Sequence, residues 1–166
     1  MIDAAYVRLM ARYNRWQNEN LYGTADGLPD AERRCDRGAF FRSIHETCNH
    51  LLWADRMWMS RFSGGEQPPG GMKESVSLYA DWGALKTERR QTDAAIMAWA
   101  DGIDAAALAG DLTWYSGGAQ RSLTGPRWKL VVHFFNHQTH HRGQIHAMLT
   151  QAGARPGDTD LPVMSE

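Results

Sequence analysis

Residues 127–151 read RWKLVVHFFNHQTHHRGQIHAMLTQ, an unbroken stretch whose apolar side chains recur at helical spacing. Each residue of an α-helix turns about 100° around the axis, so every side chain can be given a direction. With Trp128 at zero, Leu130, Val131, Phe134, Ile145, Met148 and Leu149 fall at about 200° to 300°, one arc of an amphipathic helix. Pro126 can open this helix in its first turn, and Gly153 supplies a C-cap.

Working back from this helix, Leu112-Thr113-Trp114-Tyr115-Ser116, Gly117-Gly118 and the residues to 125 read as a short β-hairpin. A long helical pattern spans roughly Glu74 to Ala100 through Val76, Tyr79, Trp82, Leu85, Ile96 and Trp99. Residues 63–71, SGGEQPPGG, form a loop. Another periodic stretch runs from about Phe40 to Phe62, with Ile44, Cys48, Leu51, Met57 and Trp58. The charged segment DAERRCDR reads as a linker. The first helix is expected over about residues 3–22, through Tyr6, Leu9, Met10, Tyr13 and Trp16, with Gly23 as its stop. The tail from Arg155 is rich in Pro, Gly and Asp and should be irregular. These elements predict an all-α fold: an up-down-type four-helix bundle with a short β-hairpin before the last helix, in one domain over residues 1–166.

Composition removes several functional classes. The chain has 166 residues, 43% of them apolar, which suits one domain with a hydrophobic core. Its formal net charge of −1 offers no basic excess for nucleic acid. The start, MIDAAYVRLMARYNRW, lacks the apolar core of a secretory signal, and no apolar run approaches the roughly 20 residues of a membrane span. Cys35 and Cys48 lack CxxC spacing and read as reduced thiols, so the expected compartment is the cytoplasm. The unusual count is seven histidines, five of them within His133–His146.

Helical direction sorts these histidines. In the last helix His137 and His141 fall at about 180° and 220°, on the edge of the buried arc. His133 and His140, at about 140° and 120°, lean toward the polar side, and His146 lies near Trp128. In the helix of residues 40–62, with Ile44 at zero, His50 falls at about 240°, between Ala54 and Met57. His45 falls at about 100°, a polar flank shared with Asn49 and Arg56. The inward set is therefore His50, His137 and His141.

Two histidines four apart project from adjacent turns of one helical face, so their nitrogens can converge on one ion. A third imidazole must come from a facing helix, and His50 is the one available. Three neutral imidazoles suit zinc, nickel, iron or copper, and three protein ligands leave a position for water or substrate. His133, also four residues from His137, is the substitute ligand. Arg142 and Gln144 flank the set and are candidates to orient ligands or bind substrate. The seven tryptophans read as core or pocket wall.

Several segments resemble the DinB family of damage-inducible proteins, which is unrelated to the DNA polymerase sharing that name. Tyr13-Asn14-Arg15-Trp16 looks like its first-helix signature. Gly38-Ala39-Phe40-Phe41, Ser43-Ile44-His45-Glu46-Thr47 and Asn49-His50-Leu51-Leu52-Trp53-Ala54-Asp55-Arg56-Met57-Trp58 look like its second helix. The strongest segment is His133-Phe134-Phe135-Asn136-His137-Gln138-Thr139-His140-His141-Arg142-Gly143-Gln144-Ile145, and Gly153, Pro156 and Asp160-Leu161 match the usual ending. The resemblance implies a four-helix bundle, often a homodimer, holding a divalent metal, commonly zinc or nickel. Carried over, its metal triad falls on His50, His137 and His141. Related members transfer low-molecular-weight thiols to small electrophiles, or isomerise or conjugate substrates with such a thiol. The expected partners are thus a small-molecule substrate and a thiol co-substrate, with Glu46, Asp55, His133 and Arg142 as candidates for proton transfer or ligand support. Two other readings stay open: metal-dependent hydrolysis of a small substrate, and a non-enzymatic metal-binding stress-response protein.

Overall fold

A computed structural model describes residues 2–165. It is mostly helical, with one small antiparallel sheet. Helix α1 spans Ala4–Asp26, started by the Asp3 carboxylate, which accepts from the Tyr6 N–H at 2.8 Å. It runs past the expected stop at Gly23 because Tyr22 and Ala25 continue its buried face, and Gly27 ends it instead. The charged linker contains a short helix, α2 (Asp30–Arg34). Its acidic residues, Asp30 and Glu32, lie in the first turn and Arg33 and Arg34 in the last, the arrangement the helix dipole favours.

Helix α3 spans Ile44–Ser63 and begins later than its periodicity predicted. Ser43 caps it, and residues 39–42 form a tight turn in which Arg42 takes φ +64°. The expected helix over 74–100 is broken. A 3-10 turn covers Glu74–Ser77, and α4 starts only at Trp82 and runs to Gly102, capped by Asp81. The break has a direct cause at Tyr79, whose N–H donates to Asn49 Oδ1 at 2.7 Å. Its carbonyl accepts from Asn49 Nδ2 at 3.1 Å and faces His45 Nε2 at 2.9 Å. Side chains of α3 thus take the backbone groups a continuous helix would have used.

A four-residue helix, α5 (Ala105–Leu108), precedes the expected hairpin. Strand β1 (Asp111–Ser116) pairs antiparallel with β2 (Arg121–Pro126), with Trp114 opposite Leu123. Helix α6 spans Arg127–Gln151, with Pro126 at its N-cap. At its other end Gly153 takes φ +80°, its N–H reaching Thr150 O and that of Ala154 reaching Leu149 O, a Schellman ending that glycine suits. The tail is irregular except for a 3-10 turn at Leu161–Val163, and it is tied to α1 by Tyr13 Oη donating to Thr159 O at 2.6 Å. No described helix is long and apolar enough to cross a membrane.

The four long helices do not pack in chain order. Helix α1 lies against α4 and α6, and α3 lies against the same two. Two apolar clusters fix their directions. One joins Val7, Phe62, Ala100 and Val131; the other joins Leu21, Ile44, Leu85 and Met148. The start of α1 and α6 therefore meets the end of α3 and α4, so α1 and α6 run one way and α3 and α4 the other. Between the clusters lies a buried polar layer of Asn14, Asn18, Asp55, Arg89, Asp93, Gln138 and Arg142. Of the tryptophans, Trp53, Trp58 and Trp82 are buried, and Trp99 and Trp114 pack against the first cluster.

Candidate metal centre

Helices α3 and α6 bring His50, His137 and His141 together. One ring nitrogen from each lies within 4.8 Å of the others, a group that could hold a metal ion. His137 and His141 come from adjacent turns, with their Nε2 atoms 3.1 Å apart. Ligand nitrogens around a tetrahedral zinc ion stand about 3.3 Å from one another, so this pair has coordination spacing before any ion is considered.

The remaining nitrogens show which atoms are free to bind. Ser75 Oγ donates to Met72 O at 2.7 Å, so at its 2.9 Å contact with His50 Nδ1 it must accept. That places the His50 proton on Nδ1 and leaves Nε2 as the basic nitrogen. His141 Nδ1 lies 2.8 Å from Gln144 Oε1, an acceptor, which puts its proton on Nδ1 and leaves the Nε2 lone pair facing His137 Nε2. The donor set is thus three imidazoles, two of them held with Nε2 lone pairs exposed. This chemistry fits zinc, nickel or another borderline divalent ion.

Burial keeps these rings neutral. Desolvation, then the neighbouring His141, pushes His50 down to about 3. His137 is likewise pushed down to about 3, by burial first and then by His141 and His50. Burial also lowers His141. Unfolded histidines protonate near 6.5, so acid favours the unfolded chain between 6.5 and about 3. Asp93 and Asp55 act in the opposite sense, since burial raises both despite Arg89 beside them, Asp93 to about 6 from 3.8, but burial lowers five histidines, His45 and His133 as well as the triad. The chelator-treated protein should therefore lose stability as pH falls below about 6.5. Urea midpoints measured at about pH 7.5 and about pH 5 check this, and equal midpoints would contradict it.

Aromatic side chains wall the triad. Phe41, on the tight turn before α3, stacks on His50 at 3.8 Å between ring centres and reaches His141 at 5.4 Å. Trp53 stands 6.2 Å from His50, its Nε1 donating to Pro69 O and so tying the 64–73 loop beside the site. Phe40 is 80% exposed and packs edge-on against Phe41. Met72, whose carbonyl holds Ser75, is also exposed.

The other sequence candidates sit elsewhere. His133 is exposed, 5.9 Å from His137 between ring centres, and packs on Trp58. Glu46 serves the cap of α3: its N–H donates to Ser43 Oγ at 3.1 Å, and its carboxylate receives the Ser43 hydroxyl at 3.2 Å. Asp55 is fully buried, accepting from Arg89 at 2.7 Å and Gln138 at 3.1 Å. Arg142 does not flank the triad on a solvated face. It is buried on the far side of α6, donating to Asn14 Oδ1 and Thr139 Oγ1 and lying over Tyr13, and burial pushes it down to about 10. His45 is also corrected. It is buried rather than on a polar flank, because the chain at Tyr79 folds back over that side of α3. Gln144 is where the sequence pointed, against His141. Ser75 and Phe41 were missed as site residues. Ser75 falls inside a stretch whose spacing predicts a continuous helix, and Phe41 falls inside the helix predicted over residues 40–62.

The whole chain, residues 1–166, matches the family model described as "DinB family". The chain belongs to the DinB family. Comparison with curated proteins finds no match.

Proposed function

We propose that this chain is a metal-dependent enzyme, a low-molecular-weight thiol S-transferase acting on small electrophiles. The observation that carries the reading is the convergence of His50, His137 and His141, neutral and aimed at one point. No fourth His, Cys, Asp or Glu joins them among the described residues, and three protein ligands are the pattern of an open, catalytic site. When bound, zinc or nickel would supply Lewis acidity that makes a thiol ionise near neutral pH. The protein's own part is to hold the three rings, keep them unprotonated and offer apolar surface at Phe40, Phe41, Trp53 and Met72 to an electrophile. The sulfur would form a bond to the electrophilic carbon as the bond from that carbon to its leaving group breaks, the leaving group departing with the electron pair and the thiol proton passing to solvent.

The reading extends to the whole molecule: one four-helix-bundle domain, a homodimer as the family resemblance implies, located in the cytoplasm. Two free thiols, exposed Cys35 and buried Cys48, are in keeping with a reducing compartment. The test is turnover by zinc- or nickel-loaded protein with bacillithiol, mycothiol or glutathione and a small electrophile. Thioether formation that requires metal and disappears in His137→Ala is expected. No metal-dependent product with any of the three thiols would overturn thiol transfer. Turnover of esters or amides by the same preparation would establish hydrolysis instead, and stoichiometric metal with neither activity would leave a metal-binding protein.

A further inference from the structure

We propose that Ser75 and Gln144 are positioning residues that hold His50 and His141 in the Nδ1–H tautomer, and that they thereby set the metal affinity of the site. The inference rests on the triad being a metal site, and on nothing about substrate. Its basis is the direction of four hydrogen bonds. The Ser75 hydroxyl is committed as a donor to Met72 O, so toward His50 Nδ1 it can only accept. The Gln144 amide places its oxygen 2.8 Å from His141 Nδ1 and its nitrogen 3.3 Å from His140 Nε2. For Ser75 a fixed outer acceptor, the Met72 carbonyl, decides how the hydroxyl meets the ring, and for Gln144 the orientation of the amide puts Oε1 against it. An isolated neutral imidazole can place its proton on either nitrogen, and only one choice leaves Nε2 able to bind.

The two positioning groups come from different parts of the fold. Gln144 stands one turn beyond His141 on α6. Ser75 comes from the 3-10 turn that interrupts the expected helix, and it is fully buried against α3. That turn stays in place because Asn49 and His45 grip Tyr79 two residues beyond its end. The interruption of the helix therefore has a use: a continuous helix from 74 would not keep the Ser75–Met72 bond and the Tyr79 contacts together. His137 has no side-chain partner on Nδ1 among the described residues, so the site is asymmetric, with two of its three rings held through Nδ1.

The experiment uses the full chain labelled with 15N-histidine, with zinc as the probe. Ring nitrogen spectra of metal-free protein report each tautomer, and competition with a chelator reports zinc affinity. Ser75→Ala should convert His50 to a mixture of tautomers while His141 keeps its own. Gln144→Leu should do the reverse. Each should weaken zinc binding by about 10- to 100-fold, the usual effect of removing such a partner. Gln144→Glu keeps an acceptor oxygen and should restore both the tautomer and most of the affinity. Unchanged tautomers in both alanine and leucine variants, or equal affinities for Gln144→Leu and Gln144→Glu, would overturn the proposal. Should Ser75→Ala fail to fold, the Gln144 pair decides alone, since Gln144 is only half-buried. Wild-type protein that shows the expected tautomers but takes up no zinc would instead contradict the metal reading.

Discussion

His137→Ala should lower zinc or nickel affinity by more than about 100-fold, beyond the usual cost of losing a residue that merely supports a ligand. His137 and His141 supply two nitrogens 3.1 Å apart from one rigid helix, and that prearranged pair is the core of the chelate. Removing one leaves His50 and His141 on different helices, with two ligands where three converged. The fold should survive. His137 is half-buried at the edge of α6 and belongs to neither apolar cluster. The metal-free variant should thus unfold within about 1 kcal/mol of metal-free wild type, as for substitutions outside the core. Chelator competition and urea denaturation on the same preparations check both halves. A variant that loses metal only because it has unfolded would not support the account.

Asp55→Ala should have the opposite profile, with a large loss of stability. Asp55 is fully buried, its two oxygens holding Arg89 and Gln138. Arg89 in turn pairs with Asp93 at 2.8 Å, and Asp93 also accepts from Asn14 and Asn18. Removing one carboxylate leaves two buried arginines facing a single carboxylate in a layer sealed between two apolar clusters. Breaking such a buried pair costs about 3–5 kcal/mol. For a chain of this size that lowers the melting temperature by on the order of 10 °C. Denaturation of Asp55→Ala checks this, and a loss below about 1 kcal/mol would show that the layer is not structural.

Nearness in the chain makes Asp55 and Arg142 candidates beside the chemistry. Both are instead in the polar layer: Arg142 follows His141 directly but turns into that layer, and Asp55 accepts there from Gln138, the residue after His137. The same layer gives a physical role to the first-helix signature, since Asn14 both donates to Asp93 and receives Arg142. Helical direction alone was enough to separate His50, His137 and His141 from the other four histidines, because long helices with an apolar face have few ways to turn. It failed for the burial of His45, which faces the returning chain at Tyr79 and the Trp82 ring at the start of α4, contacts that periodicity cannot encode. It failed also at residues 78–81, where apolar spacing continues on both sides of the break. Local caps at Ser43 and Asp81 were written in the residues, yet Ser75 meets His50 only through tertiary folding, 25 positions away.

The most direct test is the metal content of the purified, dialysed chain, measured beside His137→Ala with the coordination shell read by X-ray absorption. One zinc or nickel per wild-type chain, bound by nitrogens at about 2.0–2.1 Å and absent from the variant, is the predicted result. Wild-type protein without stoichiometric metal, or a variant that retains it, would contradict the account.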